Sequence, residues 1–130
     1  MSRTPVISIV DDDESVRTAM QDMVESFGFT ADTFGSAEEF LQSGRLRDTA
    51  CLILDIQMPG MSGLELHNRL IASGHRVPTM FVTAFPDTRV RDRALQAGAV
   101  GYLSKPFDRN DLRGCILSSL DTRDAEGRPS

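Results

Sequence analysis

The sequence lacks the features that mark secreted, membrane-spanning or metal-thiolate proteins. Cys51 and Cys115 are its only cysteines, and each lies alone in an apolar stretch. Isolated cysteines predict neither a disulfide framework nor a metal-ligand pair, and they suit small buried residues in a reducing cytoplasm. No apolar run approaches the roughly 18 residues that a membrane helix needs, and the residues after Met1 lack the apolar core of a signal peptide. We therefore expect a cytoplasmic protein with no membrane segment.

Lysine is nearly absent as well, since Lys105 is the one lysine among 14 basic residues. The net charge of −5 argues against direct binding of nucleic acid, because proteins that grip phosphates present a basic surface. A length of 130 residues, with 40% apolar and 25% charged residues, suits one globular domain. A single ammonium in an arginine-rich chain indicates a position that needs a compact point charge.

Five short apolar runs alternate with amphipathic stretches along the chain. The runs lie at residues 6–10, 29–34, 51–54, 79–82 and 100–103. The first, third and fourth are almost continuously apolar, which is typical of parallel strands covered on both faces, whereas the second alternates and suits an edge. Strands and helices alternating at this spacing predict right-handed βαβ units and an open, doubly wound α/β sheet.

The helices are predicted from apolar spacing and from their end signals. The first covers the apolar positions between 16 and 27 and stops at Gly28; the second begins at Ser36, which with Glu39 forms a predicted capping box. The third runs from about 63 to 73, and the fourth from about 87 to 97. The fifth follows Pro106 and is capped by Asp108. In the third helix we expect the inward residues to be Leu64, Leu70 and Ile71.

Polar residues follow four of the apolar runs. Asp11 and Asp12 end the first run, Asp55 the third and Thr83 the fourth, and Lys105 follows the fifth. Ligands bind at the carboxyl ends of the strands in open α/β sheets. When the strand order is 2-1-3-4-5, the crevice lies between the first and third strands. We therefore expect the three aspartates to meet there.

Converging carboxylates need a counter-charge. Two unit charges about 4 Å apart repel by roughly 4 kcal/mol at an effective dielectric constant near 20. Hard oxygen donors without nearby histidine or cysteine favour Mg²⁺, which keeps its waters for phosphate. The Lys105 ammonium and the Thr83 hydroxyl can each donate to a phosphoryl oxygen. Carboxylate, Mg²⁺, lysine and hydroxyl together predict a site for an aspartyl phosphate.

Four sequence blocks occur in order at these strand ends. They read VDD at 10–12, LDIQMPG at 54–60, VTA at 82–84 and KPF at 105–107. Together they resemble the receiver domains of bacterial two-component response regulators, over about residues 5 to 120. The stretches SAEEFL at 36–41 and MSG at 61–63 resemble the FixJ/NarL-type subgroup. Each block alone is weak, whereas four in register are specific.

The resemblance implies a flavodoxin-like, or CheY-like, fold. It consists of a five-stranded parallel sheet in the order 2-1-3-4-5 with five helices. We expect the receiver domain to cover residues 1–120. Residues 121–130 are polar, and we interpret them as a disordered tail or a truncated linker.

The resemblance also implies the phosphoacceptor and its metal ligands. Asp55 accepts the phosphoryl group. Mg²⁺ is bound directly by Asp12 and Asp55, through water by Asp11, and by the main-chain carbonyl of Gln57. A sensor histidine kinase is the expected phosphodonor.

The remaining implied roles belong to the switch. Thr83 and Lys105 contact the phosphoryl oxygens, and the peptide bond between Lys105 and Pro106 is expected to be cis. Tyr102 is the aromatic residue that turns inward when Thr83 moves toward the phosphate.

Gln57 and Phe85 lie two positions after Asp55 and Thr83, respectively. The resemblance implies that side chains at these two positions control the access of water to the acyl phosphate.

Other charged residues have ordinary structural interpretations. Asp13 or Glu14 is expected to cap the first helix, and His67 and His75 are expected at the surface. The arginines of the fourth helix suit a solvated face, although the family forms partner contacts there. They are Arg89, Arg91 and Arg93.

The functional hypothesis is a phosphorylation switch without turnover of an external substrate. We expect it to control transcription through a C-terminal DNA-binding domain outside this chain, with a phosphorylation-dependent homodimer formed by the fourth helix, fifth strand and fifth helix. The alternative within the family is a stand-alone receiver that acts by protein contact.

Three rival classes remain. A haloacid-dehalogenase-type phosphohydrolase needs a second aspartate two residues after its nucleophile, where this chain has Gln57. A flavin-binding flavodoxin-like domain needs a cradle rich in serine, threonine and glycine in place of an acidic first loop. A pseudo-receiver would lack one of the key residues, and none is missing here.

Overall fold

The computed structural model describes residues 4–127, with side chains described as far as Leu120. Five parallel strands form one sheet in the order β2-β1-β3-β4-β5. The strands are β1 (Val6–Val10), β2 (Thr30–Phe34), β3 (Thr49–Asp55), β4 (Thr79–Thr83) and β5 (Gly101–Ser104). The parallel sheet and its order, predicted from the sequence, are confirmed.

Five helices connect and follow the strands, as predicted. They are α1 (Glu14–Ser26), α2 (Ala37–Gln42), α3 (Gly63–Ala72), α4 (Thr88–Gln96) and α5 (Arg109–Gly127). A short 3-10 turn at Leu46–Asp48 precedes β3. None of the helices between residues 4 and 127 combines the length and apolar character that crossing a membrane requires.

The core consists of two apolar clusters, one on each face of the sheet. Every residue of β3 and β4 is buried, because these strands are covered on both sides. One cluster joins the sheet to α2, α3 and α4, with Phe40, Leu66 and Phe81 at its centre. The other joins it to α1 and α5, through Met20 and Ile116. The sheet is therefore held from both faces, which keeps the ends of its strands in fixed relative positions.

The helix caps show which end signals the chain uses. Asp13 caps α1 by accepting hydrogen bonds from two amides of the first turn, as predicted. The capping box predicted at Ser36 is only half formed, because the Glu39 carboxylate accepts from the amide of Gly35. A complete box occurs instead at the start of α3, between Ser62 and Glu65.

Two predictions for α3 are wrong. His67 is only 5% exposed, and its ring packs edge-on against Phe81 with centroids 5.3 Å apart. Ile71, predicted inward, is 46% exposed. The buried stripe of α3 follows positions 63, 66, 67 and 70, which is a helical stripe irrespective of whether its members are apolar. Burial lowers the pKa of His67, which favours a neutral ring in the core.

The last helix extends beyond the boundary predicted at residue 120. Its backbone is helical to Gly127, whereas the sequence analysis treated everything after Leu120 as tail. Residues 121–126 contain no glycine or proline, so nothing in them interrupts a helix. Residues 128–130 of the predicted tail lie outside the described residues. The domain boundary at residue 120 stays a prediction.

Candidate functional site

The carboxyl ends of β1 and β3 bring three aspartates together. Val10 pairs with Leu54 in the parallel register of these neighbouring strands, so the residues that follow emerge side by side. Asp11, Asp12 and Asp55 each offer a carboxylate oxygen, and these oxygens lie within 4.8 Å of one another. Asp11 and Asp55 are buried and Asp12 is exposed. The predicted acidic cluster is therefore present.

Asp11 is the most completely bonded of the three. One carboxylate oxygen, Oδ1, accepts from the amide of Asp13 at 2.9 Å, and the other, Oδ2, accepts from Nζ of Lys105 at 2.9 Å. Its main-chain carbonyl accepts from Nη1 of Arg17 at 2.7 Å. Each carboxylate oxygen of Asp11 therefore already accepts one hydrogen bond, and its role toward a metal ion through water, implied by the resemblance, stays a prediction. This contact of Arg17 was not predicted from the sequence.

Lys105 reaches across the sheet to both buried carboxylates. Its Nζ lies 2.9 Å from Asp11 Oδ2 and 3.7 Å from Asp55 Oδ1, with 18% of the side chain exposed. The peptide bond between Lys105 and Pro106 is cis, as expected from the resemblance. A single ammonium therefore compensates part of the charge of two buried aspartates.

The surroundings of Asp55 strongly change the pKa of its carboxyl group. Burial raises the pKa of this carboxyl group from 3.8 to about 6, and repulsion from Asp11 and Asp12 adds to the shift. The Lys105 ammonium opposes it. A pKa near 6 still leaves Asp55 mostly ionised at neutral pH.

The acidic cluster fits a divalent metal ion. Its three carboxylates and the neighbouring ammonium leave two negative charges uncompensated at neutral pH. Its donors are hard oxygens, and Asp12 is accessible from solvent, which suits Mg²⁺ with retained waters. The cluster thus offers Asp12 and Asp55 as direct ligands. The main-chain carbonyl of Gln57, the further ligand implied by the resemblance, stays a prediction.

Thr83 ends β4 on the other side of Asp55. Its preceding residue, Val82, pairs with Asp55 across the two strands. The Thr83 side chain is fully buried, and its hydroxyl donates to Gln57 Oε1 at 2.8 Å while accepting from the amide of Phe85 at 3.0 Å. The Thr83 hydroxyl is therefore bonded to Gln57, a side-chain contact that was not predicted from the sequence.

Tyr102 lies on β5, half-buried against the cluster on the α4 face. Its hydroxyl oxygen accepts from the amide of Asp87 at 3.2 Å, and Asp87 is the residue that caps α4. The aromatic ring thus stands between β5 and the beginning of α4. Its predicted movement on phosphorylation stays a prediction.

Two further residues position the loop after Asp55. A Cβ at Gly63 would collide with the main-chain carbonyl oxygen of Asp55, so only glycine lets α3 begin so close to the end of β3. The Glu38 carboxylate accepts from the amide of Met61 at 3.1 Å. From the sequence, Gly63 was predicted as a helix start and as part of the MSG block, and its place just beyond the Asp55 loop was the available signal for this close approach.

The fold and the site together define a receiver, and comparison with known proteins agrees. Residues 7–117 match the family model described as response regulator receiver domain. The chain is 38% identical to response regulator protein TodT of Pseudomonas putida, over 91% of this chain and 52% of that protein. It is 34% identical to transcriptional regulatory protein FixJ of Azorhizobium caulinodans, over 94% of this chain and 58% of that one. The chain therefore spans little more than half the length of these curated relatives.

A solved structure supports the same assignment. The response regulator receiver protein from Burkholderia phymatum superposes with a TM-score of 0.78 at 40% identity, covering 91% of this chain and 96% of that one. The chain belongs to the response regulator receiver domain family of two-component systems. Members of this family bind Mg²⁺ at an acidic pocket, which is here formed by Asp11, Asp12 and Asp55, and they interact with sensor kinases.

Proposed function

We propose that this receiver takes a phosphoryl group on Asp55 from a sensor histidine kinase in a Mg²⁺-dependent reaction. The observation that carries the proposal is the cluster of three carboxylates whose oxygens lie within 4.8 Å of one another, with the Lys105 ammonium 3.7 Å from Asp55. Such a site attracts a divalent cation and places a positive charge where phosphoryl oxygens arrive.

The proposed reaction is a displacement at phosphorus. A carboxylate oxygen of ionised Asp55 forms the new P–O bond, and the P–N bond of the phosphohistidine breaks. The electron pair of that bond remains on the imidazole nitrogen. Bound Mg²⁺ would supply charge neutralisation for the phosphoryl oxygens. The protein acts once per phosphoryl group received, so we propose a switch rather than an enzyme with an external substrate.

The Lys105 ammonium can move toward the negative charge that a phosphoryl group adds at Asp55. The Lys105 ammonium lies 2.9 Å from Asp11 and 3.7 Å from Asp55. A phosphoryl group on Asp55 brings more negative charge to that side, so the ammonium is drawn from Asp11 toward a phosphoryl oxygen. The compact head group on a flexible stem suits this transfer better than a guanidinium.

The switch then passes through β4 and β5. The Thr83 hydroxyl donates to a phosphoryl oxygen, which draws the end of β4 toward Asp55. Tyr102 loses its present contact with the amide of Asp87 and turns inward, so the face formed by α4, β5 and α5 changes. Because the phosphate only biases two arrangements, a fraction of the active form exists without it.

An apolar groove of this chain, beside the site, is suited to docking of the phosphodonor protein. The groove has a volume of about 430 Å³ and lies between α1 and the loop after β5. Its walls include Val16, Met20, Met23 and Phe107, and Lys105 stands at its edge. Its continuity with the phosphorylation site supports docking of a helix of the histidine kinase here, since the donor histidine has to approach Asp55 closely.

The output proposed for this chain follows from its relatives. FixJ is named a transcriptional regulatory protein, and the chain spans only part of it. We propose that the receiver acts in the cytoplasm and controls transcription through a separate DNA-binding domain, with a phosphorylation-dependent homodimer formed by α4, β5 and α5. Action as a single domain through protein contacts is the alternative. No direct contact of this acidic domain with nucleic acid is proposed.

Intact-mass spectrometry after incubation with acetyl phosphate tests the phosphorylation directly. With Mg²⁺ we expect one phosphoryl adduct on the wild type, and without Mg²⁺ we expect none above background. Asp55→Asn should remove the adduct completely, because the nucleophile is absent. Asp22→Asn, an exposed change in α1, is the matched control and should behave as wild type. A folded wild-type protein that forms no adduct would reduce the domain to an interaction module.

A further inference from the structure

The side chain of Gln57 makes a specific contact within the site. It lies in the loop directly after β3, exposed to solvent, and its Oε1 accepts the hydroxyl hydrogen of buried Thr83 at 2.8 Å. The two residues are 26 positions apart in the chain. The contact therefore joins the loop after the phosphoacceptor to the end of the neighbouring strand.

A threonine hydroxyl has one hydrogen to donate. In this structure that hydrogen is directed to Gln57, and the same oxygen accepts the amide hydrogen of Phe85 at 3.0 Å. Thr83 therefore cannot donate to a phosphoryl oxygen on Asp55 until its bond to Gln57 is broken. Both arrangements satisfy the hydroxyl, and they exclude each other.

We propose that Gln57 is a positioning residue that holds Thr83 in its resting arrangement and thereby sets how much the phosphoryl group must contribute to switch the domain. This inference rests on the function proposed above. Its observable consequence is that the unmodified domain resists the active arrangement more strongly than the same domain without the Gln57 acceptor.

The amide side chain suits this position for an electrostatic reason. A glutamate here would also accept the Thr83 hydrogen, but it would add a fourth carboxylate beside three that already lie within 4.8 Å of one another. Glutamine supplies the acceptor without that charge. It therefore restrains Thr83 while leaving the metal-binding charge of the cluster unchanged.

The same hydroxyl also restrains the loop that leads to α4. Phe85 is 71% exposed, so burial of its side chain does little to hold the loop, and its amide is bonded to Thr83 Oγ1. When Thr83 turns toward Asp55, that amide loses its acceptor. Breaking the contact between Gln57 and Thr83 thus frees the beginning of the β4–α4 connection at the same time.

Binding of beryllofluoride, which occupies the phosphoryl position on a carboxylate, tests this inference at equilibrium. The bound fraction is measured by fluorine NMR on the whole chain at saturating Mg²⁺. Gln57→Met keeps the length of the side chain and the main-chain carbonyl but removes the acceptor. We expect it to bind beryllofluoride about two- to fivefold more tightly, since the contact is a partly solvated hydrogen bond of ordinary net strength. Gln42→Met, an exposed change in α2, is the matched control and should bind as wild type.

A double-mutant comparison separates this role from a general effect on the loop. In a Thr83→Val background the hydroxyl is gone, so adding Gln57→Met should change binding by less than about 1.5-fold. If Gln57→Met binds no more tightly than wild type, or if its gain persists in the Thr83→Val background, the inference is overturned. Absence of Mg²⁺-dependent beryllofluoride binding in the wild type would instead overturn the phosphorylation function.

Discussion

The site has two halves, one on the β1 side of β3 and the other on its β4 side, and the two are stabilised in different ways. The acidic half, on the β1 side, consists of Asp11, Asp12 and Asp55 and contains charges that repel one another. The hydroxyl half, on the β4 and β5 side, consists of Thr83 and Tyr102, whose oxygens are engaged in neutral hydrogen bonds. Metal-free protein therefore contains mutually repelling charges in the acidic half, whereas the hydroxyl half is held by neutral hydrogen bonds.

This difference assigns separate roles to the two halves. In the acidic half, ionisation and the proposed metal binding and phosphorylation all change the charge, so large free energies are available there. In the hydroxyl half, each contact is a single net hydrogen bond of about 1 kcal/mol. A change of charge in the acidic half can therefore supply enough free energy to break the hydrogen bonds of the hydroxyl half. Mutations in the acidic half are therefore expected to have larger effects than mutations in the hydroxyl half.

The largest effect is expected at the ammonium that holds the acidic half together. Lys105→Met should lower the free energy of unfolding of metal-free protein by about 3 kcal/mol, because it leaves the fully buried Asp11 carboxylate without its charge partner. Urea unfolding in a chelator at pH 7 measures this difference. Arg89→Met, which removes an exposed cation of α4, should change stability by no more than about 0.5 kcal/mol. Equal effects of the two variants would contradict the charge-paired account of the acidic half.

The second effect concerns pH and Asp55. Its pKa is raised in the folded protein, from 3.8 to about 6, first by burial and then by the neighbouring aspartates. Ionisation therefore weakens the folded state, so the stability contributed by the protonated group is lost as pH rises from about 4 to about 6. Relative to wild type, metal-free Asp55→Asn should gain stability through that window and reach on the order of 2 kcal/mol at pH 7.

The measurement is urea unfolding at several pH values in a chelator, with Asp22→Asn as the control. Adding Mg²⁺ should narrow the difference, because wild type retains the Asp55 ligand and gains more from the metal. A stability difference that does not vary between pH 4 and pH 7 would show that ionisation of Asp55 does not destabilise the folded protein.

The smallest effect is expected in the hydroxyl half. Tyr102→Phe removes the acceptor for the Asp87 amide and should lower the free energy of unfolding by about 0.5 kcal/mol, since that amide is near solvent. Amide hydrogen exchange gives the sharper measurement, because exchange at Asp87 should become faster while exchange within β3 stays unchanged. Unaltered exchange at Asp87 would mean that this contact does not hold the start of α4.

Much of the fold and the acidic half could be predicted because both follow from short-range patterns. Continuous apolar runs indicate strands covered on both faces, and residues that end neighbouring parallel strands must share an edge. The positions of Asp11, Asp12 and Asp55 at strand ends were therefore enough to predict that they lie together. The same reasoning failed for α3, where apolar identity pointed to Ile71 and the actual stripe buried His67.

The sequence by itself determined the strand order through its family pattern, the acidic cluster through its strand ends, and the position of the lysine that serves it. Only the tertiary structure decided which partner each polar side chain reaches. Lys105 pairs with Asp11 across 94 positions, and Thr83 bonds to Gln57 rather than to a group on its own strand. The physical reason is that periodicity specifies which face a residue occupies, whereas a hydrogen bond requires atoms about 3 Å apart and so depends on how the neighbouring elements pack.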